Sequence, residues 1–166
     1  CMYSGIMIDT NNFMTKTGVR TFEAAAFLRR NGADVTRVRK LFREDAAEYK
    51  AKADAVSQAE IYKQVFAISL CTAEDLPSPT IIGAQAANEL LNIKGIKASF
   101  VLTDYQGKIY VSARSIDEVN VQIIMERMGG GGHMNTAACQ MEGVGLVEAI
   151  GVLKHTIDDM LESGEI

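Results

Sequence analysis

The chain has 166 residues, 48% of them hydrophobic and 23% charged, with only two prolines, a balance that excludes a disordered chain and suits one ordinary domain or a small domain with part of another. Its formal net charge of -4 argues against a general grip on long nucleic acid, which wants a basic face, but leaves room for a small phosphorylated ligand in one local positive pocket. Cys1, Cys71 and Cys139 are too few and too scattered for a disulfide framework or a cysteine-based zinc site, and fit a reducing cytosol; no signal-peptide pattern or membrane-length apolar run is present.

Met2-Tyr3-Ser4-Gly5-Ile6-Met7-Ile8-Asp9 enters directly as a buried-looking segment, and the chain is expected to be a piece of a longer protein. Residues 21–60 read as helix-rich. Val35, Val38, Leu41 and Phe42 make an apolar stripe at helical spacing, with Asp34 placed as N-cap. The stretch from Ala46 to Glu60 is rich in Ala, Lys, Glu and Asp and reads as an exposed helix bridging two bodies. Arg29, Arg30, Arg37, Arg39, Lys40 and Arg43 read as a solvated helical face.

From about residue 61 strands alternate with helices. Val65 to Leu70 has strand length. Ser78-Pro79 starts a helix, with Ser78 as N-cap and Pro79 at its first position, and Ile82, Ala86 and Leu90 form its inner face. Ala98–Thr103 and Lys108–Ala113 read as two strands joined by a hairpin turn through Asp104-Tyr105-Gln106-Gly107. Val121, Ile124, Met125 and Met128 give a helix that runs into four glycines. Ala137–Met141 reads as a further strand, and Leu146, Ile150, Leu153 and Ile157 line a final helix. The pattern predicts an α/β domain, a sheet covered by helices.

Gly129-Gly130-Gly131-Gly132-His133 follows a helix and precedes a strand, the reverse of both familiar phosphate loops. The Rossmann fingerprint needs a glycine where Met134 stands, and the P-loop needs Lys-Ser/Thr where His133-Met134 stand. A helix C-cap accounts for one glycine, at most two. Four in a row predict several backbone N–H groups lining one anion-binding concavity, with His133 donating at its rim. Upstream, Ser115-Ile116-Asp117-Glu118 matches a capping box, which gives Ser115 a structural role. Arg114, at a strand end beside a helix start, suits bidentate phosphate binding, provided the fold brings it and His133 to one pocket.

Gly130-Gly131-Gly132-His133 with Ala137-Ala138, and Ser112-x-Arg114-Ser115 with Asn120-Val121, resemble the DHHA1 domain of the DHH-family phosphoesterases. Gly5-Ile6-x-x-Asp9-Thr10-x-x-Phe13 resembles the last metal-binding motif of the DHH domain. Thr17-Gly18-Val19-Arg20-Thr21-Phe22-Glu23-Ala24-Ala25 and Gly32-Ala33-Asp34 are similar to the GdpP-type branch, membrane-anchored bacterial enzymes that hydrolyse cyclic di-AMP to a linear dinucleotide with manganese. The resemblance implies a DHHA1-type domain with a mixed sheet over residues 61–166, preceded over 1–60 by a helical remnant of the DHH domain and a connecting helix. It implies Asp9 as a metal ligand, and Arg114, Ser115, Gly130, Gly131, Gly132 and His133 as the groups that hold a cyclic dinucleotide or short phosphodiester. It also implies a membrane-anchored parent with this part on the cytoplasmic side, and allows a homodimer. Cys139 stands where the family often has Gly, a change small enough to leave the loop intact. The Asp-x-Asp and Asp-His-His motifs that complete the family's two-metal manganese centre are absent from this chain, whose only histidines are His133 and His155. The chain by itself is therefore expected to hold substrate without cutting it. Two other readings stay open: a related hydrolase acting on oligoribonucleotides, phosphoadenosine phosphate or polyphosphate, or a non-enzymatic RNA-binding module.

Overall fold

The computed structural model describes residues 2–73 and 75–166. They divide into two compact units, Cys1–Glu44 and Asp45–Ile166. The first holds α1 (Met2–Asp9), α2 (Val19–Arg30) and α3 (Val35–Leu41). The opening segment is a helix with no fully buried residue. Thr10, 4% exposed, stabilises the turn after it: its hydroxyl donates to the Ile6 carbonyl at 2.6 Å and accepts from the Phe13 N–H at 3.0 Å. Asp34 caps α3 as its position predicts, accepting from Thr36 and Arg37 N–H groups at 2.9 and 3.1 Å. Only Val38 of the α3 stripe is buried, and Leu41 is 70% exposed.

The second unit runs α4 (Ala46–Ser57), β1 (Glu60–Tyr62), β2 (Phe66–Cys71), α5 (Pro79–Leu90), β3 (Ala98–Tyr105), β4 (Lys108–Ser115), α6 (Val121–Arg127), β5 (Gly131–His133), β6 (Thr136–Glu142) and α7 (Leu146–Ser163). The six strands form one mixed sheet in the order β1-β2-β3-β4-β6-β5. β2 and β3 pair in parallel across the α5 connection; all other pairs are antiparallel. Strand alternation sorts the side chains onto two faces. Phe66, Ile68, Phe100, Leu102, Ile109, Val111, Ala113, Ala137 and Cys139 pack against α6 and α7, where Leu153, Ile157 and Met160 are fully buried. Ala67, Cys71 and Val101 face α4 and α5.

Two departures from the sequence pattern matter. α4 is exposed over much of its length but packs along one side: Ala55 is fully buried, Ala51 and Val56 pack beside it, and the Ser69 hydroxyl of β2 donates to the Ala55 carbonyl. Small alanines let this helix lie close against α5, so a sequence that looks polar still contributes a packed edge. The β3–β4 hairpin is longer than the hydrophobic pattern, and its two-residue turn, Gln106-Gly107, takes positive φ at both positions (53° and 74°). That geometry matches the right-handed twist of the paired strands.

β1 is clasped to α7. The Tyr62 hydroxyl donates to both carboxylate oxygens of Asp158 at 2.8 Å, and Lys154 contacts Glu60 at 2.8 Å. The ammonium groups of Lys154 and Lys63 lie 5.0 and 5.5 Å from the centre of the Tyr62 ring.

Candidate functional site

The site is built by register. Arg114 on β4 pairs with Thr136 on β6, and Thr136 pairs with His133 on β5. Residues directly opposite across neighbouring strands point to the same face. Arg114, Thr136 and His133 therefore form a row across three strands, on the face that carries α5. The next row is Ser112, Ala138 and Gly131, then Tyr110 and Gln140, and finally Lys108 and Glu142. α5 lies over β2 and β3 and against β4 on this face, and its Ala87 carbonyl accepts from the buried Ser99 of β3 at 2.6 Å. Beyond it the surface opens: Thr136, Ala138, Gln140 and His133 are exposed.

Arg114 lies where the helix ends and the open face begins. Its Nε donates to Asn88 Oδ1 of α5 at 3.1 Å, and its Nη1 donates to the Ala113 carbonyl at 2.8 Å. Burial lowers the guanidinium's pKa from its ordinary value, yet an arginine remains charged at neutral pH. No carboxylate pairs with it among the described residues. Its charge and its Nη2 edge remain for an anion from outside. The side chains of His133, Thr136 and Ser112 likewise make no hydrogen bond among the described residues.

The glycines do something different from the anion nest their run suggested. Gly129, with φ 81°, and Gly130 finish α6: their N–H groups donate to the carbonyls of Glu126 at 3.0 Å and Met125 at 2.8 Å, the paired bonds of a Schellman cap. These N–H groups are spent on the helix. Gly131 and Gly132 are then already strand. A Cβ on Gly130 would collide with the Ala138 carbonyl and with Cys139, and one on Gly132 would lie 2.5 Å from Ala137 Cα. What approaches this backbone so closely is β6 itself. A Cβ on Gly131 would meet nothing within 4 Å; the same holds at Gly129, but there φ is 81° and the residue is spent on the helix cap. Of the four, Gly131 alone combines a place on the Arg114 face with that open space.

Ser115 is corrected as well. β4 continues through it, so it alternates to the face opposite Arg114 and is 6% exposed. The helix cap that its sequence pattern promised belongs to Asn120, which accepts from the Gln122 N–H at 3.1 Å. Ser115 instead steadies the β5–β6 turn. Its hydroxyl donates to the Met134 carbonyl at 3.3 Å, and its N–H to the Asn135 carbonyl at 3.1 Å. Val121 N–H to Met134 O at 2.9 Å and Asn135 Nδ2 to Asp117 at 2.6 Å complete the anchoring of the turn next to His133.

The row Arg114–Thr136–His133 was only half visible in sequence. Thr136 and Ser112 follow from strand parity once β4, β6 and β5 are known to be neighbours, but Asn88 lies off the apolar stripe of α5 and carried no signal. Cys139 is buried beneath the face, and burial pushes its thiol up to about 11, so it is an inert packing residue. His155 is exposed on α7, 3.4 Å from Asp159.

Asp9 is exposed at the end of α1 and has no partner among the described residues. Beside it, a groove of about 750 Å³ runs between α1 and α2, lined by Ile6, Asp9, Arg20, Glu23 and Phe27 among others. The turn at Asn11-Asn12 is closed by the Thr10 hydroxyl, so Asp9 is not needed there as a cap. No group of three His, Cys, Asp or Glu among the described residues is placed to hold a metal ion. The residues described here do not make a metal centre on their own.

With this geometry in view, a family model, that of the DHHA1 domain, matches residues 63–163. The chain belongs to the DHHA1 family. It is 42% identical over 165 residues to the cyclic-di-AMP phosphodiesterase GdpP of Geobacillus thermodenitrificans, a match covering 99% of this chain and 25% of that protein. It is 43% identical over 158 residues to the cyclic-di-AMP phosphodiesterase PdeA of Listeria monocytogenes, covering 95% of this chain and 24% of that one. The chain thus spans about a quarter of the length of these curated relatives. The crystal structure of an exopolyphosphatase-related protein from Bacteroides fragilis superposes with a TM-score of 0.84 at 21% identity, over 96% of this chain and 49% of that chain. That likeness establishes the shared fold of the DHHA1 chain.

Proposed function

We propose that this DHHA1 chain is the substrate-holding part of a phosphodiesterase that opens cyclic di-AMP to a linear dinucleotide. One observation carries the reading: Arg114 and His133, far apart in sequence, stand in one row on an open sheet face, and neither has an acidic partner among the described residues. A phosphodiester anion laid on that row accepts from the free Nη2 edge of Arg114 and from the His133 ring, with the Thr136 hydroxyl between them. Gly131 leaves room for the ligand to lie close to the sheet. Asn88 and the Ala113 carbonyl hold the guanidinium in place before the ligand arrives, so less side-chain freedom is lost on binding.

The first unit is assigned to the remnant of the catalytic DHH domain. There Asp9 serves as one carboxylate of a metal centre, manganese by the family resemblance, whose other ligands lie outside the described residues. The parent is taken to be anchored in a bacterial membrane with this part on the cytoplasmic side; no helix among the described residues is long and apolar enough to cross a membrane.

Calorimetry with cyclic di-AMP tests the reading, using the intact protein in the presence of a chelator so that no turnover occurs. Arg114→Ala and His133→Ala should each cost about 1.5–3 kcal/mol, the worth of a hydrogen bond to a charged group, or roughly ten- to a hundredfold in Kd. If both variants bind like the parent, the reading is wrong.

A further inference from the structure

The half-face that carries Arg114 and His133 does not end with them. Four residues along β4 from Arg114, Tyr110 stands opposite Gln140 of β6. At about 3.3 Å per residue, this pair lies roughly 13 Å from Arg114 along the strand. Everything between is small: the Ser112 hydroxyl, the Ala138 methyl group and the open space above Gly131. At the far end, Lys108 and Glu142 neutralise each other across the same two strands at 2.6 Å. The strip is a shallow trough, cationic at one end and closed by an ion pair at the other.

The Tyr110–Gln140 pair has its own chemistry. The Tyr110 ring is half-buried and backed by the Tyr105 ring, their centres 6.5 Å apart and their planes tilted by 48°. That backing holds the ring in place. Its hydroxyl makes no hydrogen bond among the described residues. Gln140 is exposed, and its amide nitrogen makes one long contact, 3.3 Å to Glu142; its amide oxygen is uncommitted among the described residues. A ring held in position supplies a stacking surface, and a primary amide supplies a donor beside an acceptor. The two together match a purine, whose adenine form displays the N6 donor beside the N7 acceptor.

We propose that Tyr110 and Gln140 form a nucleobase subsite, which takes a purine of the same ligand whose phosphate sits at Arg114 and His133. The proposal rests on the phosphate row described above and adds the chemical class of the ligand's other end. The subsite lies too far from Arg114 to touch the phosphate held there. It therefore contributes to binding only when the ligand carries a base, and a polyphosphate would gain nothing from it. Discrimination between nucleotide and inorganic substrates is thereby built into the sheet face.

The test compares two probes, cyclic di-AMP and inorganic tripolyphosphate, by calorimetry on the intact protein with chelator present. Tyr110→Ala should weaken cyclic di-AMP by about five- to a hundredfold, the range for losing one base–aromatic stack. Gln140→Ala, at an exposed position, should weaken it several-fold, while Tyr110→Phe stays near the parent. Tripolyphosphate binding should be unchanged in all three variants and should fall in Arg114→Ala, as cyclic di-AMP binding does. If Tyr110→Ala and Gln140→Ala bind cyclic di-AMP like the parent while Arg114→Ala does not, the subsite is refuted and the phosphate row stands. If Arg114→Ala weakens neither probe, the phosphate row fails and the subsite falls with it.

Discussion

Substituting alanine for the glycines one at a time separates close packing from ligand access. At Gly130 the added methyl group meets the Ala138 carbonyl, Cys139 Cβ and Cys139 Cα, the last at 2.6 Å. Two of these are backbone atoms of a paired strand and the third is a Cβ fixed to that backbone, so none can swing away. Overpacking of this kind costs about 1–3 kcal/mol; for a chain of this size that lowers Tm by roughly 2–12 °C. Gly132→Ala faces a like collision, with 2.5 Å to both Ala137 Cα and Thr136 O, and must also hold φ at 150°, so it should melt at least as early. Gly131→Ala meets nothing within 4 Å. Replacing glycine where the backbone suits alanine stabilises by about 0.4–1 kcal/mol through the unfolded chain, so its Tm should hold or rise slightly. Its methyl group, however, projects onto the face proposed to receive the ligand. There the same overpacking falls on the complex, about five- to a hundredfold in Kd for cyclic di-AMP. Thermal melts followed by calorimetry read both quantities on the same samples. A Gly130→Ala variant that melts with the parent, or a Gly131→Ala variant that loses as much stability as Gly130→Ala, would refute the placement of β5 against β6.

The clasp between β1 and α7 gives a pH-dependent signature. The Tyr62 hydroxyl, and then Lys63, hold the Asp158 carboxyl below its ordinary value, so its contribution is present above about pH 3.9, the unfolded value, and is lost as pH falls through the lower folded one. Asp158→Asn should therefore melt below the parent at pH 7, with the gap closing below about pH 4; a gap that stays constant over that range speaks against the clasp. In the intact protein, Asp9→Ala should remove most phosphodiesterase activity and weaken manganese binding while leaving the melting curve nearly unchanged, and unaltered manganese affinity would show that Asp9 is no ligand. The isolated chain should not hydrolyse cyclic di-AMP with manganese present, an expectation overturned by turnover that tracks the chain through purification as a single species.

Elements determined by local chemistry were legible in the sequence. Asp34 caps α3 because its carboxylate reaches N–H groups two and three residues on, and Pro79 opens α5 because a first-turn position needs no N–H. The α7 stripe was legible for a similar reason: a helix of 18 residues repeats its apolar pattern several times. Long-range pairing decided the rest. The pattern at Ser115 to Glu118 is a sound local cap, but pairing with β3 carries β4 through Ser115 and leaves Asn120 to start the helix. Gly131-Gly132-His133 has almost no strand propensity, and only β6 makes it a strand. Nothing in sequence separation suggests that Arg114, Thr136 and His133 share a row. That adjacency exists because β6, not β5, sits next to β4.

The contact between Tyr62 and Asp158 spans 96 positions of the chain. In folding terms it closes a very long loop, and the entropy of that closure must be met before the bond returns anything. β1 has only three residues and pairs with β2 alone, so its docking is completed by a helix that leaves the ribosome about a hundred residues later. Until then a growing chain presents β2 with a weakly held neighbour along its outer edge. Such an edge is open to pairing with another strand, and the closing of α7 over Tyr62 ends that exposure.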